Sequence, residues 1–229
     1  MAAYDLEEQE QLAEIKAWWK QYGNRLVNVA TVVALVVIAW QGWNWYQRNQ
    51  VGQASVVYGV LQKAVQEKDT QRIKAASGEL LEKFSRTPYA VLGALTSAKA
   101  MIEAGDAQTA KAQLLWASEH AKDELRDLAR LRAAAALLDE KAYDQALAQL
   151  GAASGPAFEV RFQDMRGDIL AAQGKKAEAV SAYQAALTKL GDLEKNGTSG
   201  GAGLEWQGDS NAIFRDLIGQ KIDALGGGK

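Results

Sequence analysis

Catalysis needs groups that ionise, attack or ligate, and this chain has few of them in useful patterns. It holds one histidine, His120, and no cysteine, which removes thiol nucleophiles and most zinc sites. His120 stands in the polar run SEHAKDE and reads as a surface side chain. Gly174-Lys175-Lys176 carries the glycine and lysine of a phosphate loop, but no Ser or Thr follows, the spacing to Gly167 is wrong and no strand precedes it. Gly197, Gly200, Gly201 and Gly203 fail the dinucleotide pattern for the same structural reason. Asn196-Gly197-Thr198 is a glycosylation sequon by letters only, and acidic pairs such as Asp164 and Asp168 read as ordinary solvated helix charges. The sequence therefore predicts no catalytic, cofactor-binding or metal residues: not an enzyme, but a protein that binds through its surfaces.

Those surfaces must be held by an anchor and a domain. Residues 26–46 read LVNVATVVALVVIAWQGWNWY, with no charge before Gln47. Twenty residues at a helical rise of about 1.5 Å span roughly 30 Å, the thickness of a bilayer's hydrocarbon. Trp18, Trp19 and Tyr22 lie on one side, and Trp40, Trp43, Trp45 and Tyr46 on the other, where rings with one polar atom prefer the headgroups. A buried core helix would not carry such girdles. Val37-Ile38-Ala39 resembles a signal cleavage site, but the region before it is long and holds Asp5, Glu7, Glu8, Glu10 and Glu14. The segment reads as one retained transmembrane helix. Lys16, Lys20 and Arg25 precede it against Arg48 and Lys63 after it, so the N-terminus is expected in the cytoplasm. Asn28 and Thr31 put polar groups near the inner end, where they can contact a partner helix.

The tail, with Leu6, Leu12, Ile15, Trp18 and Trp19 among charges, reads either as an amphipathic helix on the inner leaflet or as a solvated segment. It holds five acids against three bases; the remainder has 23 of each, so there is no basic footprint and no nucleic-acid partner is expected. Two prolines, abundant alanine and the absence of strand-like alternation favour an all-α domain. Past the anchor, apolar periodicity predicts helices over 51–67 and 71–84, with Asp69-Thr70 as a cap and Pro88 in the first turn of the next helix. A repeat follows. Ala98, Ala134 and Gly167 align, as do Met101, Leu137 and Leu170. Gly105, Lys141 and Gly174 fall in the turns, and Ala110, Ala146 and Ala179 come next, then Leu114, Leu150 and Tyr183, then Ala117, Ala153 and Ala186. A period near 34 with these small and aromatic positions is similar to the tetratricopeptide repeat, whose stacked helix pairs form a superhelix with a concave face. The expected lining of that face is Leu92, Leu95, Ile102, Leu128, Leu131 and Leu138, with burial in the core the alternative for any one of them.

Residues 191–210 are rich in Gly, Asn, Ser and Asp and read as a linker. An amphipathic helix over 211–225 then presents Ile213, Phe214, Leu217, Ile218, Ile222 and Leu225 on one broad face. Either a permanent cap on the last repeat or a reversible lid fits this pattern. The expected organisation is a cytoplasmic tail (1–25), a transmembrane helix (26–46), a periplasmic repeat domain (47–190), the linker and the terminal helix.

The acidic tail, the anchor ending QGWNWYQRNQ, the stretch TPYAVLGALTSAKAMIEAGDAQTAKAQL and the run VRFQDMRGDILAAQGKKAEAVSAYQAAL together resemble the YfgM family, ancillary subunits of the bacterial SecYEG translocon. The resemblance covers about residues 1–190 and returns in the terminal helix; the Gly-rich stretch departs from it. It implies a single-pass protein of the bacterial inner membrane near SecYEG. Its partners would include the periplasmic chaperone PpiD, and its clients emerging secreted proteins or peptides. It implies no catalytic residues. A tetratricopeptide adaptor in envelope assembly or stress regulation is the second reading left open by the residues.

Overall fold

The computed structural model describes residues 2–195 and 208–227, with side chains from residue 11 in the first stretch and from 211 in the second. Among the described residues the secondary structure is helical and no strand occurs. The chain divides into two units, residues 1–52 and 53–229.

The first unit lies within α1, Ala2–Gln66. Here the tail is helical, and Val32, Val33, Leu35, Val36, Val37 and Ile38 are exposed all around the axis. A helix that is apolar on every side belongs in a core or in a membrane, and this stretch is not in a core. It is a helix long and apolar enough to cross a bilayer. Rings pair at both ends, Trp18 with Tyr22 at 5.9 Å and Trp43 with Tyr46 at 6.2 Å between centroids. Trp19 folds over Gly23, where a Cβ would lie 3.1 Å from its indole.

The second unit is a stack of helix pairs. Residues 53–66 of α1 pair with α2 (Thr70–Lys83). The following pairs are α3 (Pro88–Glu103) with α4 (Ala107–His120), α5 (Asp123–Asp139) with α6 (Tyr143–Gln149), and α7 (Pro156–Ala172) with α8 (Lys176–Lys195). The last helix is α9, Gly208–Ala224. Asp69 caps α2 as expected, accepting from the Arg72 N–H at 3.0 Å, and Pro88 opens α3. Each pair is closed by a residue in the left-handed region: Lys68 (φ 55°), Gly105 (81°), Lys141 (61°) and Gly174 (77°). Each such turn carries the same amide bond back to a carbonyl about five residues earlier: Asp69 to the Ala64 carbonyl, Asp106 to Met101, Ala142 to Leu137 and Lys175 to Leu170, all at 2.8–3.0 Å.

Three of those turns are the aligned ones; the turn at Lys68 is a fourth that the alignment does not contain. Leu61 stands in the first pair where the others have Ala98, Ala134 and Gly167, so the small-residue pattern is missing there. Leu80, at the place of Ala117, supplies volume instead and lies over Gly93, where a Cβ would come within 2.5 Å of Leu80 Cδ1. The third pair also departs from expectation. α6 ends at Gln149, leaving Ala153 outside the helix though packed on the core. Gly151, Gly155 and Pro156 interrupt the helical pattern. The loop is held by fully buried Asp127, which accepts the Ser154 N–H at 2.5 Å, and Arg166 donates to the Leu150 carbonyl at 2.7 Å. Of the expected linker at 191–210, residues 191–195 complete α8, 208–210 open α9, and 196–207 lie outside the described residues.

Three consecutive apolar clusters fill the stack, from residues of α1–α5, then α5–α7, then α7–α9. Ion pairs from lysines at matching positions link successive repeats: Lys74 to Asp106 at 2.5 Å and Lys111 to Glu140 at 2.6 Å, the acids standing on either side of the turn residue. The Lys74 ammonium, followed by the Thr109 N–H and hydroxyl, holds the Asp106 carboxyl down at about 2. If the left-handed turns set the repeat, removing the Cβ at Lys141 relieves strain. Lys141→Gly is expected to raise stability by about 1 kcal/mol and Gly174→Ala to lower it by a similar amount. Urea midpoints measure both; two unchanged midpoints would show that these turns are not left-handed in solution.

Candidate functional site

The expected lining residues do not share one surface. Leu95 is core, packed in the first cluster and closed to any partner. Leu128 is half-buried against that cluster, and Leu131 and Leu138 are half-buried against the second. Leu92 is half-buried, and Ile102 is exposed at 56 %. Around Ile102 the chain does form a groove of about 580 Å³ between α3 and α5, floored by Ala110 and Leu114 of α4. Ile102 forms part of one wall and Ala135 and Ala136 part of the other, while Lys99, Glu103, Arg132, Asp139 and Glu140 stand around it. In the sequence the leucines stand out. The groove is marked instead by charged residues at helical spacing around alanines, a pattern that also fits any solvated face.

The α9 helix is seated on the last pair. Phe214, Ile218 and Ile222 are buried with Val160, Leu170, Tyr183, Ala186 and Leu190. The expected broad face is narrower: Ile213 and Leu217 remain 70 % and 46 % exposed, because the i, i+4, i+8 stripe, with Leu225 beyond its end, is what meets the cluster of α7 and α8. Asp164 and Asp168, expected to be solvated, are half-buried beneath this helix, and Lys221 reaches both at 2.7 Å. Tyr183 donates to Asp168 at 2.7 Å, and the Arg161 guanidinium sits 5.1 Å over the Phe214 ring. Burial pushes the Asp164 carboxyl up against the pull of Lys221. Burial also works to lower the Lys221 ammonium, but its bonds to Asp164 and Asp168 prevail and raise it. Burial and then Asp168 raise the Tyr183 phenol. This cluster locks a helix in place, with every group engaged by another of the same cluster.

In the anchor, the Thr31 hydroxyl donates to the Val27 carbonyl of its own helix at 2.8 Å, while Asn28 is exposed. His120 is likewise engaged locally, its ring stacked on Trp116 at 4.1 Å and Nδ1 2.8 Å from the Trp116 carbonyl. Among the described residues no group of three or more acidic or histidine side chains is placed to hold a metal.

The tetratricopeptide repeat-like domain family matches residues 16–200. The chain is similar to the ancillary SecYEG translocon subunit of Haemophilus influenzae, at 31 % identity over 84 % of this chain and 95 % of the relative. The Neisseria gonorrhoeae protein of the same name is 28 % identical over 98 % and 100 %, and that of Escherichia coli 28 % over 79 % and 87 %.

The seating of α9 separates its apolar residues cleanly. Ile218→Ala is expected to cost about 2–4 kcal/mol. Ile213→Ala is expected to stay within about 0.5 kcal/mol. Chemical denaturation of the two variants measures the contrast, and equal effects would mean that α9 does not sit on this stripe.

Proposed function

The chain belongs to the tetratricopeptide repeat-like family of ancillary SecYEG translocon subunits, and on that premise we propose that it is a membrane-anchored, non-catalytic interaction protein working beside the SecYEG channel. The observation that carries this reading is one chain joining an all-round apolar helix to a helical-repeat unit that bears an open apolar groove.

In this reading residues 1–25 lie in the cytoplasm, 26–46 cross the bacterial inner membrane and 47–190 work in the periplasm. The excess of Lys16, Lys20 and Arg25 over the cations that follow supports this orientation. There the repeat unit would meet emerging secreted proteins together with a periplasmic chaperone such as PpiD, because a short apolar groove on an otherwise polar surface suits transient contact with extended or helical segments. Asn28 supplies the anchor's contact with a membrane partner; the Thr31 hydroxyl is engaged by its own helix and adds little.

Affinity purification of the full chain in mild detergent is expected to recover the channel subunits and the chaperone. Purification of intact protein without the channel would contradict the reading. Protease added to spheroplasts is expected to digest the repeat unit and leave the first 25 residues protected; the reverse pattern would refute the orientation.

A further inference from the structure

We propose that the groove between α3 and α5 takes a polypeptide segment in one direction only, with an acidic residue at one end, one large apolar side chain in the middle and a basic residue at the other end. This deepens the reading of the chain as an interaction protein and rests on it. Short turns join α3 to α4 and α4 to α5, and both α3 and α5 pack on α4, so α3 and α5 run the same way. Their charges are therefore sorted along the groove. Lys99 precedes Glu103 on α3 and Arg132 precedes Asp139 on α5, and the two acids, at matching repeat positions, end their helices.

Not all of these charges are committed. Lys99 and Glu103 meet only at 3.9 Å, both well exposed, and Glu140 is taken by Lys111. Arg132 and Asp139 are exposed and make no ion pair among the described residues. They stand seven residues apart on α5, about 10 Å along the axis. Between them Ala135 and Ala136 form a low wall across from exposed Ile102, so an incoming side chain would rest against these three, above buried Ala110 and Leu114. Two opposite charges that far apart, with an apolar seat between, complement two turns of helix or about three extended residues. Nucleic acid is disfavoured, since its phosphates would face the anionic end.

The test uses the full-length chain in detergent and three dye-labelled 14-residue peptides, read by fluorescence anisotropy. One has the order Glu–Leu–Lys over seven residues, the second Lys–Leu–Glu, and the third Glu–Ser–Lys. One orientation of the two charged peptides, that with its acid toward Arg132, fits the groove in each helical or extended form, so peptides are tethered to residue 92 through an engineered cysteine to fix which end lies at the cationic side. The Glu-first tethered peptide is expected to occupy the groove about fivefold or more above the Lys-first one, since each exposed charge pair contributes up to about fivefold. The Ser peptide is expected to show no occupancy.

The double variant Arg132→Glu/Asp139→Arg is expected to invert that preference, which a merely unfolded protein cannot do. Equal occupancy by both orders in both proteins, or none by any peptide, would overturn the proposal. Co-purification of the channel with the same double variant is measured alongside. Retained channel with no peptide preference sinks the groove alone; lost channel from the wild type sinks the functional reading alone.

Discussion

The repeat unit depends on one constraint: each helix pair has an apolar face it cannot cover, so the next pair must cover it. The core accordingly has no single centre but three clusters in series, each built from consecutive helices. The left-handed residues at 68, 105, 141 and 174 make this possible by reversing the chain tightly enough for neighbours to meet. Such a stack must also stop. At its C-terminal end α9 lays Phe214, Ile218 and Ile222 over the last pair, and Lys221 fastens it to Asp164 and Asp168. The clamp is costly to desolvate, so its gain is in fixing where α9 sits more than in binding strength.

The anchor obeys the opposite rule. In water the apolar surface of residues 26–38 would be a liability; in lipid it is the favourable solvent contact, and the backbone satisfies its own hydrogen bonds as a helix. Charge then has different work in the two units. Cations flank the span on both sides, while in the repeat unit ions bridge successive pairs, as Lys74 does with Asp106 and Lys111 with Glu140.

The span, the cap at Asp69, the proline at α3 and three of the four repeat turns were legible in the sequence because each is written in local residue types: apolar runs, a short acid, a fixed φ, a glycine. The turn at Lys68 was not: like Lys141 it has no glycine, and there Leu61 and Leu80 also exchange volume with their counterparts, removing the small-residue spacing that marked the turn at Lys141. The early end of α6 depends on a bond from Ser154 to Asp127, 27 residues away. Likewise, the period of α9 shows an apolar face, but which side of it meets α8 is settled by packing, leaving Ile213 and Leu217 outside. The groove was half legible: Ile102 was among the expected lining residues, whereas its charged ends belong to two helices and gain meaning only once α4 brings those helices together.

Nearest-neighbour stacking closed by α9 is tested most directly by native-state hydrogen exchange on the full chain and on a chain ending at residue 195. Loss of the cap should deprotect the amides of α7 and α8 strongly while those of α2–α4 keep their protection, because in a serial stack stability is local. Uniform loss along the whole unit, or no change in α7 and α8, would contradict it.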